Sequence, residues 1–187
     1  MRFGVVTLFP DLVADVAGYG VLGRAVERGL IAVDCENPRD HATDPHRTVD
    51  DRPYGGGPGM VMKYEPSAAA IASLAARMPA GSPVVCLSPQ GARFDQATAE
   101  RYAELPGLVL LAGRYEGFDE RVHTVLANDE ICLGPFVLAG GEVAAMAVID
   151  AVGRRLEGAL GNAESLAAES FSPELGGGVE HPHYTRP

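Results

Sequence analysis

Paired cysteines, long apolar runs and lysine are all scarce in this sequence. The three cysteines, Cys35, Cys86 and Cys132, lie far apart and none belongs to a Cys-x-x-Cys pair, which argues against a disulfide scaffold and a structural zinc site. No apolar run approaches the roughly 18 to 20 residues that a membrane-spanning helix needs. The N-terminal run FGVVTLF stops at Pro10 without a small-residue cleavage site behind it. We therefore expect a cytoplasmic protein with no membrane partner.

Positive charge is also scarce, because 25 acidic residues face 15 basic ones and the formal net charge is −10. Taken alone, this charge disfavours a nucleic-acid partner, since such partners usually require a basic footprint. All basic residues except Lys63 are arginines, however, and arginine forms planar, bidentate contacts with phosphates and bases. A locally basic site on an acidic protein therefore remains open. The arginines in unusual loops are Arg47, Arg52, Arg114, Arg154 and Arg186.

The chain of 187 residues, 47% of them hydrophobic, is long enough for one folded domain with a sizeable core. Short apolar runs alternate with helical segments, which predicts an α/β fold with a mainly parallel sheet flanked by helices. The predicted strands are 3–8, 31–37, 82–88, 107–113 and 130–134, and the predicted helices are 10–17, 22–30, 66–78, 95–105, 119–127 and 141–156. The last helix is apolar on nearly every side, so we expect it in the core or against a partner chain.

Three glycine-containing loops follow predicted strands: LSPQG (87–91), AGRYEG (112–117) and LGPFVLAGG (133–141). Ligands of open α/β sheets bind beyond the carboxyl ends of the strands, so the three loops could form one pocket. In GRYEG, Arg114 and Glu116 flank Tyr115. This motif is either a surface turn with an internal ion pair or a cation and a carboxylate beside a ligand, and we favour the second.

A fourth glycine-rich stretch, VDDRPYGGGPGMVM (49–62), lies inside the long segment 38–65. It lacks the Lys-Ser or Lys-Thr that completes a P-loop, and no G-x-G-x-x-G follows the first strand. A phosphate cradle is therefore a weak interpretation, with a plain turn as its simplest competitor. The sequence also lacks a G-x-S-x-G nucleophile motif. A surface role is favoured over metal binding for His181 and His183.

Read together, HRTVDDRPYGGGPGMVM, LSPQG, AGRYEGFDERV, VLAGGE and the terminal HYTRP resemble the bacterial tRNA (guanine-N1)-methyltransferases that modify guanosine 37, in the SPOUT superfamily. The resemblance covers nearly the whole chain in the same order. It implies a deep trefoil knot in the C-terminal half, a homodimer, S-adenosylmethionine as cofactor and tRNA with G37 as substrate. It also makes Mg²⁺ an expected ion, with unknown ligands.

The resemblance further implies site residues. Glu169 would be the base that takes the proton from guanine N1, and Arg154 would stabilise negative charge on O6. Asp50, Gly59, Arg114 and Ser165 would meet the tRNA, and we expect Gly59→Val to harm methylation far more than cofactor binding. The implied cofactor residues are Leu87, Ser88, Pro89, Gly113, Glu116, Leu133, Gly134, Phe136, Leu138, Gly140 and Gly141.

Three features depart from the family pattern. Glu169 replaces an aspartate, Pro135 stands in GPFVL where the family has G-D-Y-V-L, and the chain stops before the family's C-terminal tRNA-binding domain. We expect residues 1–160 to form the knotted catalytic domain and 161–187 to be a flexible linker or active-site cover. The alternatives are a truncated knotted dimer that binds S-adenosylmethionine with little or no tRNA methylation, and a SPOUT enzyme for a different RNA.

Overall fold

A computed structural model describes residues 1–160 and 169–186 of the chain. Its centre is a five-stranded sheet with the order β2-β1-β6-β5-β7, in which every neighbouring pair is parallel. The strands are β1 (Arg2–Val6), β2 (Ala32–Glu36), β5 (Val84–Arg93), β6 (Gly107–Leu111) and β7 (Asp129–Cys132). The predicted α/β fold with a mainly parallel sheet is thus confirmed. The trefoil knot remains a prediction.

Helices cover both faces of this sheet. They are α1 (Pro10–Ala17), α2 (Gly20–Glu27), α3 (Tyr64–Ala75), α4 (Gln96–Ala103) and α5 (Glu142–Gly153). Helices α1, α2 and α4 pack with α5 on one face, whereas α3 lies on the other. The predicted cap of α4 is present, because the Asp95 carboxylate accepts a hydrogen bond from the Thr98 amide at 2.8 Å.

The two helical layers explain why the strands are continuous apolar runs. In β1, Phe3 and Val5 belong to the core under α5, whereas Val6 belongs to the core under α3. Strand β6 alternates in the same way and is fully buried along its length. A strand covered on both faces needs apolar side chains at every position rather than at alternate ones.

The structure adds detail to three local predictions. Residues 88–91 are an outward bulge within β5, because the pairing of this strand with β7 shifts between Leu87 and Ala92. The segment 119–127 is helical from residue 120 to 126 as predicted, and Val122–Leu126 within it form a π-helix. Helix α5 is buried in the core on one side, and Val143 on its other side is half exposed. That this second side packs against a partner chain stays a prediction.

The segment 38–65 contains short elements of regular structure instead of forming one free loop. It contains a 3-10 turn (Pro38–His41) and two short antiparallel strands, β3 (Asp50–Asp51) and β4 (Val61–Met62). Among residues 169–186 there is one 3-10 turn, Pro173–Leu175. Within the described ranges, no helix combines the length and apolar character needed to cross a bilayer.

Candidate functional site

A cavity of about 440 Å³ opens beyond the carboxyl ends of β5, β6 and β7. The three strand-end loops predicted to form one pocket all line it. So do all eleven residues for which the resemblance implied cofactor binding: Leu87, Ser88, Pro89, Gly113, Glu116, Leu133, Gly134, Phe136, Leu138, Gly140 and Gly141. The sheet topology thus collects residues from three distant parts of the chain at one edge.

Two glycines at this cavity permit close approaches that other residues would prevent. A Cβ atom on Gly141 would lie 2.6 Å from the Cα atom of Ala112, a backbone contact that cannot relax cheaply. A Cβ atom on Gly140 would lie 2.3 Å from Nε of Arg114. The glycines therefore let the loop 133–141 lie directly on the end of β6.

The charge of the cavity indicates what kind of ligand it can hold. Glu116 and Glu120 line it, whereas no lysine or arginine does so among the described residues. An uncompensated negative site attracts cations and repels phosphate groups. The acidic lining therefore favours a cationic ligand over a nucleotide phosphate.

The glycine-rich stretch 49–62 is docked against the GRYEG loop. The amide of Glu116 donates to the Met60 carbonyl at 2.9 Å, and the amide of Met62 donates to the Gly117 carbonyl at 2.8 Å. Directly before these bonds Tyr115 has φ 60°, a left-handed conformation that costs a non-glycine residue about 1–3 kcal/mol. Strain of this kind is typical of functional loops, and the ring of Tyr115 is half exposed at the cavity wall.

Gly59 lies close to the cavity wall. Its φ is +83°, and a Cβ atom there would lie 2.3 Å from Oε1 of Glu116. The glycine-rich stretch therefore shapes the cavity through Glu116. Asp50 lies in β3, where it is paired with Met62.

The GRYEG loop is followed by an ion pair between Asp119 and Arg121, which stiffens the chain just after the loop. The Arg121 guanidinium donates two hydrogen bonds to the Asp119 carboxylate, each at 2.8 Å. These bonds lower the pKa of Asp119 to about 2, against an opposing effect of burial. The Asp119 amide also donates to the Met62 carbonyl, so this loop and β4 are joined again.

Arg114 pairs with Glu142 beneath the cavity. Nε of Arg114 lies 2.8 Å from Oε2 of Glu142, in an ion pair whose angle is not that of a hydrogen bond. Glu142 is completely buried, and its other oxygen accepts a hydrogen bond from Thr7 at 2.8 Å. The Arg114 guanidinium also stacks on Phe9, 4.4 Å from the ring centroid. The Arg114 guanidinium thus makes its main contacts with groups of the protein itself.

Glu169 lies between two consecutive arginines. Nη1 of Arg154 donates to its Oε2 at 2.6 Å, and Nη1 of Arg155 donates to its Oε1 at 3.0 Å. Nη2 of Arg155 lies 3.0 Å from Oε1 of Glu100 on α4, so Arg155 is itself held by an ion pair with this helix. Only 9% of Glu169 is exposed.

The structure does not bring all predicted site residues into one place. Arg154 and Glu169 contact each other, but neither lines the cavity. Ser165 lies outside the described residues, as does the part of the expected linker 161–187 that runs from 161 to 168. Within one chain, therefore, the residues implied for the cofactor and those implied for catalysis form two separate groups.

Sequence reasoning missed several residues of these groups. Glu142 is the acid at the start of a mostly apolar helix, a pattern that indicates a buried, paired carboxylate. Thr7 had no local signature, because its partner is 135 residues away. Arg155 directly follows a predicted site arginine, but nothing in its neighbourhood indicates that it would reach Glu169 as well.

These features define an α/β protein with an acidic, glycine-lined cavity at the carboxyl edge of a parallel sheet. The model of the family described as tRNA (Guanine-1)-methyltransferase TrmD matches residues 1–187. The chain belongs to this tRNA (guanine-N1)-methyltransferase family, whose members use S-adenosylmethionine as methyl donor.

Individual relatives agree with this assignment. The chain is 54% identical to the tRNA (guanine-N(1)-)-methyltransferase of Methylococcus capsulatus, over 100% of this chain and 73% of the relative. It is also 54% identical to that of Hahella chejuensis, over 99% of this chain and 70% of the relative. The crystal structure of tRNA (m1G37) methyltransferase from Aquifex aeolicus superposes with a TM-score of 0.81 at 36% identity, covering 100% of this chain and 76% of that one.

Proposed function

We propose that this protein transfers the methyl group of S-adenosylmethionine to N1 of guanosine 37 in tRNA. The observation that carries the proposal is the acidic, glycine-lined cavity at the strand ends, together with membership of the family. A tRNA substrate makes the cytoplasm its place of action. The chain's own residues then have three tasks, which are to hold the cofactor, to take the N1 proton and to hold the base.

The cavity suits S-adenosylmethionine in charge as well as in size. The cofactor, when bound, supplies a methyl group on a positively charged sulfonium. Glu116 and Glu120 at the cavity would attract this charge, and the backbone of Gly140 and Gly141 would lie against the ligand. Loss of the sulfonium charge after transfer would weaken this attraction and favour release of the product.

Glu169 is the base in this proposal. Guanine N1 carries a proton at neutral pH, so a carboxylate must accept it as the new bond to nitrogen forms. Arg154 then has two roles. It orients Glu169 through the hydrogen bond at 2.6 Å, and it offers a guanidinium to the negative charge that develops on O6.

Arg155 is a positioning residue in the same proposal. It holds the second oxygen of Glu169 and is itself held by Glu100. Glutamate is one methylene longer than the aspartate of the family pattern, so its carboxylate has more freedom to move. Two arginines bound to the two oxygens restrict this freedom, which supports Glu169 as a working replacement.

A homodimer would unite the two groups of residues. Arg154 and Glu169 lie outside the cavity of their own chain, so a second copy is needed if they are to face a cofactor. The half-exposed Val143 on α5 and the exposed Phe136 and Val137 beside it offer apolar surface for such a contact. In this arrangement the stretch 50–59, Arg114 and Ser165 would surround the guanine.

Binding of Mg²⁺ would require oxygen ligands from the tRNA in addition to those of the protein. Mg²⁺ prefers a near-octahedral set of oxygen ligands. Within the described ranges, the group of three or more close potential ligands contains a cysteine and a histidine rather than three carboxylates. We propose that any Mg²⁺ is held by Glu116 together with oxygens of the tRNA.

The test is methyl transfer to a tRNA transcript with G37, beside the same transcript with adenosine at position 37. We expect transfer to the first only, and nuclease digestion should locate the product as 1-methylguanosine. Cofactor binding is measured separately by calorimetry. Cofactor binding without transfer would support the alternative, a knotted dimer with little or no methylation, and would overturn the proposed activity.

A further inference from the structure

Three side chains with metal-binding atoms meet at the inner end of the cavity. Sγ of Cys86 lies 3.9 Å from Nε2 of His123, and Nδ1 of His123 lies 3.0 Å from Oε1 of Glu130. All three ligand atoms lie within 4.8 Å of one another. Cys86 and His123 also line the cavity itself.

Regular structure holds this cluster in place. Cys86 on β5 and Glu130 on β7 are register partners in the sheet, so their side chains leave the same face side by side. His123 comes from the π-helix, whose extra residue per turn is often found at functional sites. The cluster therefore rests on two strands and a helix rather than on loops.

The order of the contacts matches a common arrangement around zinc. A carboxylate at Nδ1 fixes the tautomer and orientation of a histidine ring, and leaves Nε2 free to bind a metal. Glu130 occupies that carboxylate position, and Nε2 points toward the thiol. Around a tetrahedral zinc ion, bond lengths of about 2.3 Å to sulfur and 2.0 Å to nitrogen separate the two ligand atoms by about 3.5 Å. The observed 3.9 Å is close to this value.

We propose that Cys86 and His123 form a binding site for Zn²⁺ at the inner end of the cavity, with Glu130 orienting the histidine. The remaining coordination positions face the cavity and are open to water. Thiolate and imidazole are the ligands that Zn²⁺ prefers over the oxygen set of Mg²⁺. The nearby Glu116 and Glu120 add attraction for a divalent cation.

This site would couple zinc to the cofactor, a consequence that rests on the proposed function. Both ligands lie in the wall of the cavity that would hold S-adenosylmethionine. An ion with its water would take part of the cofactor's volume, and two positive ligands in one cavity repel each other. Zinc and cofactor are therefore expected to exclude each other, so that zinc inhibits methyl transfer.

The experiment titrates the untagged full chain with Zn²⁺ alone and, for thiolate absorption, with Cd²⁺ alone. We expect one Zn²⁺ per chain and a cadmium–thiolate absorption band. Cys86→Ser and His123→Gln should each lower zinc affinity more than about a hundredfold, whereas Glu130→Gln should lower it about 10- to 100-fold. Thermal melting of each variant verifies that it is folded.

Two matched variants serve as controls. Cys35→Ser removes a thiol on β2 that does not line the cavity, and His181→Gln removes one of two surface histidines whose rings lie 4.7 Å apart. Both should keep the zinc affinity of the parent. Unchanged affinity in Cys86→Ser or in His123→Gln, or loss of affinity in His181→Gln, would overturn the site.

A second arm repeats the zinc titration with saturating S-adenosylmethionine. Weaker zinc binding supports mutual exclusion, whereas unchanged zinc binding overturns it. If S-adenosylmethionine does not bind at all, the proposed function fails. The zinc site is then decided by the first titration alone.

Discussion

Arg154 donates a hydrogen bond to Glu169 at 2.6 Å, across a chain separation of 15 residues. This contact joins the end of α5 to the tail, and it involves the two residues that the family resemblance implies for catalysis. A buried carboxylate that accepts hydrogen bonds from two guanidinium groups is held in one orientation.

The first prediction concerns the base itself. Glu169→Gln keeps the shape of the side chain but cannot accept the N1 proton, so kcat should fall about 10²- to 10⁴-fold. Cofactor affinity should be unchanged, because Glu169 does not line the cavity. Single-turnover kinetics and calorimetry measure the two quantities. Turnover at the parent rate would mean that another group takes the proton.

The second prediction separates positioning from catalysis. Arg155→Met should lower kcat about 10- to 100-fold, because a misplaced reacting group costs rate, while KM for the cofactor stays constant. Arg155→Lys keeps a cation near Glu169 and should restore part of the rate. Arg24→Met, at an exposed arginine of α2, is the matched control.

Glu169→Asp tests the positioning role of Arg155 by shortening the side chain that Arg155 holds. The shorter carboxylate cannot reach both guanidinium groups as Glu169 does, so Arg155 should matter less in its presence. The combined effect of Glu169→Asp and Arg155→Met is then smaller than the sum of the single effects. Strict additivity of the two free energies would contradict a positioning role for Arg155.

The third prediction is about stability. Arg114→Met leaves the completely buried Glu142 without its cation and should lower the free energy of unfolding by about 3–5 kcal/mol. Arg114→Met combined with Glu142→Gln should recover part of this loss, because no buried charge remains unpaired. Urea denaturation of the parent, of each single variant and of the double variant measures the coupling between the two residues. A double variant less stable than Arg114→Met would show that the ion pair is not the cause.

The fourth prediction compares two glycines of the stretch 49–62. Both have positive φ, +83° at Gly59 and +89° at Gly56, so alanine strains the backbone at either position by about 1–2 kcal/mol. Only at Gly59 would the new Cβ atom meet Glu116, because nothing lies within 4 Å of a Cβ atom on Gly56. Gly59→Ala should therefore weaken cofactor binding, and Gly56→Ala should not.

This expectation revises the one drawn from the sequence for Gly59→Val. The stretch acts on the cavity through Glu116, so valine at position 59 should impair cofactor binding as well as methylation. Calorimetry on Gly59→Val decides between the two expectations.

The fifth prediction is a pH dependence. Asp119 has a pKa of about 2 in the folded protein, below the ordinary value of 3.8. A lowered carboxylate pKa contributes stability that is present above about pH 4 and is lost as the pH falls toward 2. Asp119→Asn should therefore flatten the decline of melting temperature between pH 4 and pH 2. Parallel curves for parent and variant would contradict this account of the ion pair.

The sequence by itself determined the sheet and the composition of the cavity. Continuous apolar runs identified strands covered on both faces, Asp95 marked the start of α4, and glycine-rich motifs at strand ends indicated one shared pocket. These features are local, since apolar periodicity and turn chemistry act over a few residues. The parallel sheet then brings the strand ends to a common edge.

Only the tertiary structure decided which distant side chains meet. Thr7 and Glu142 are 135 residues apart, and Glu130 lies beside Cys86 only because β7 pairs with β5 in a particular register. The choice of Arg155 as second partner of Glu169 depends on how the tail returns to α5. Such contacts leave no periodic pattern in the sequence, because their geometry is set by chain crossovers and packing rather than by neighbouring residues.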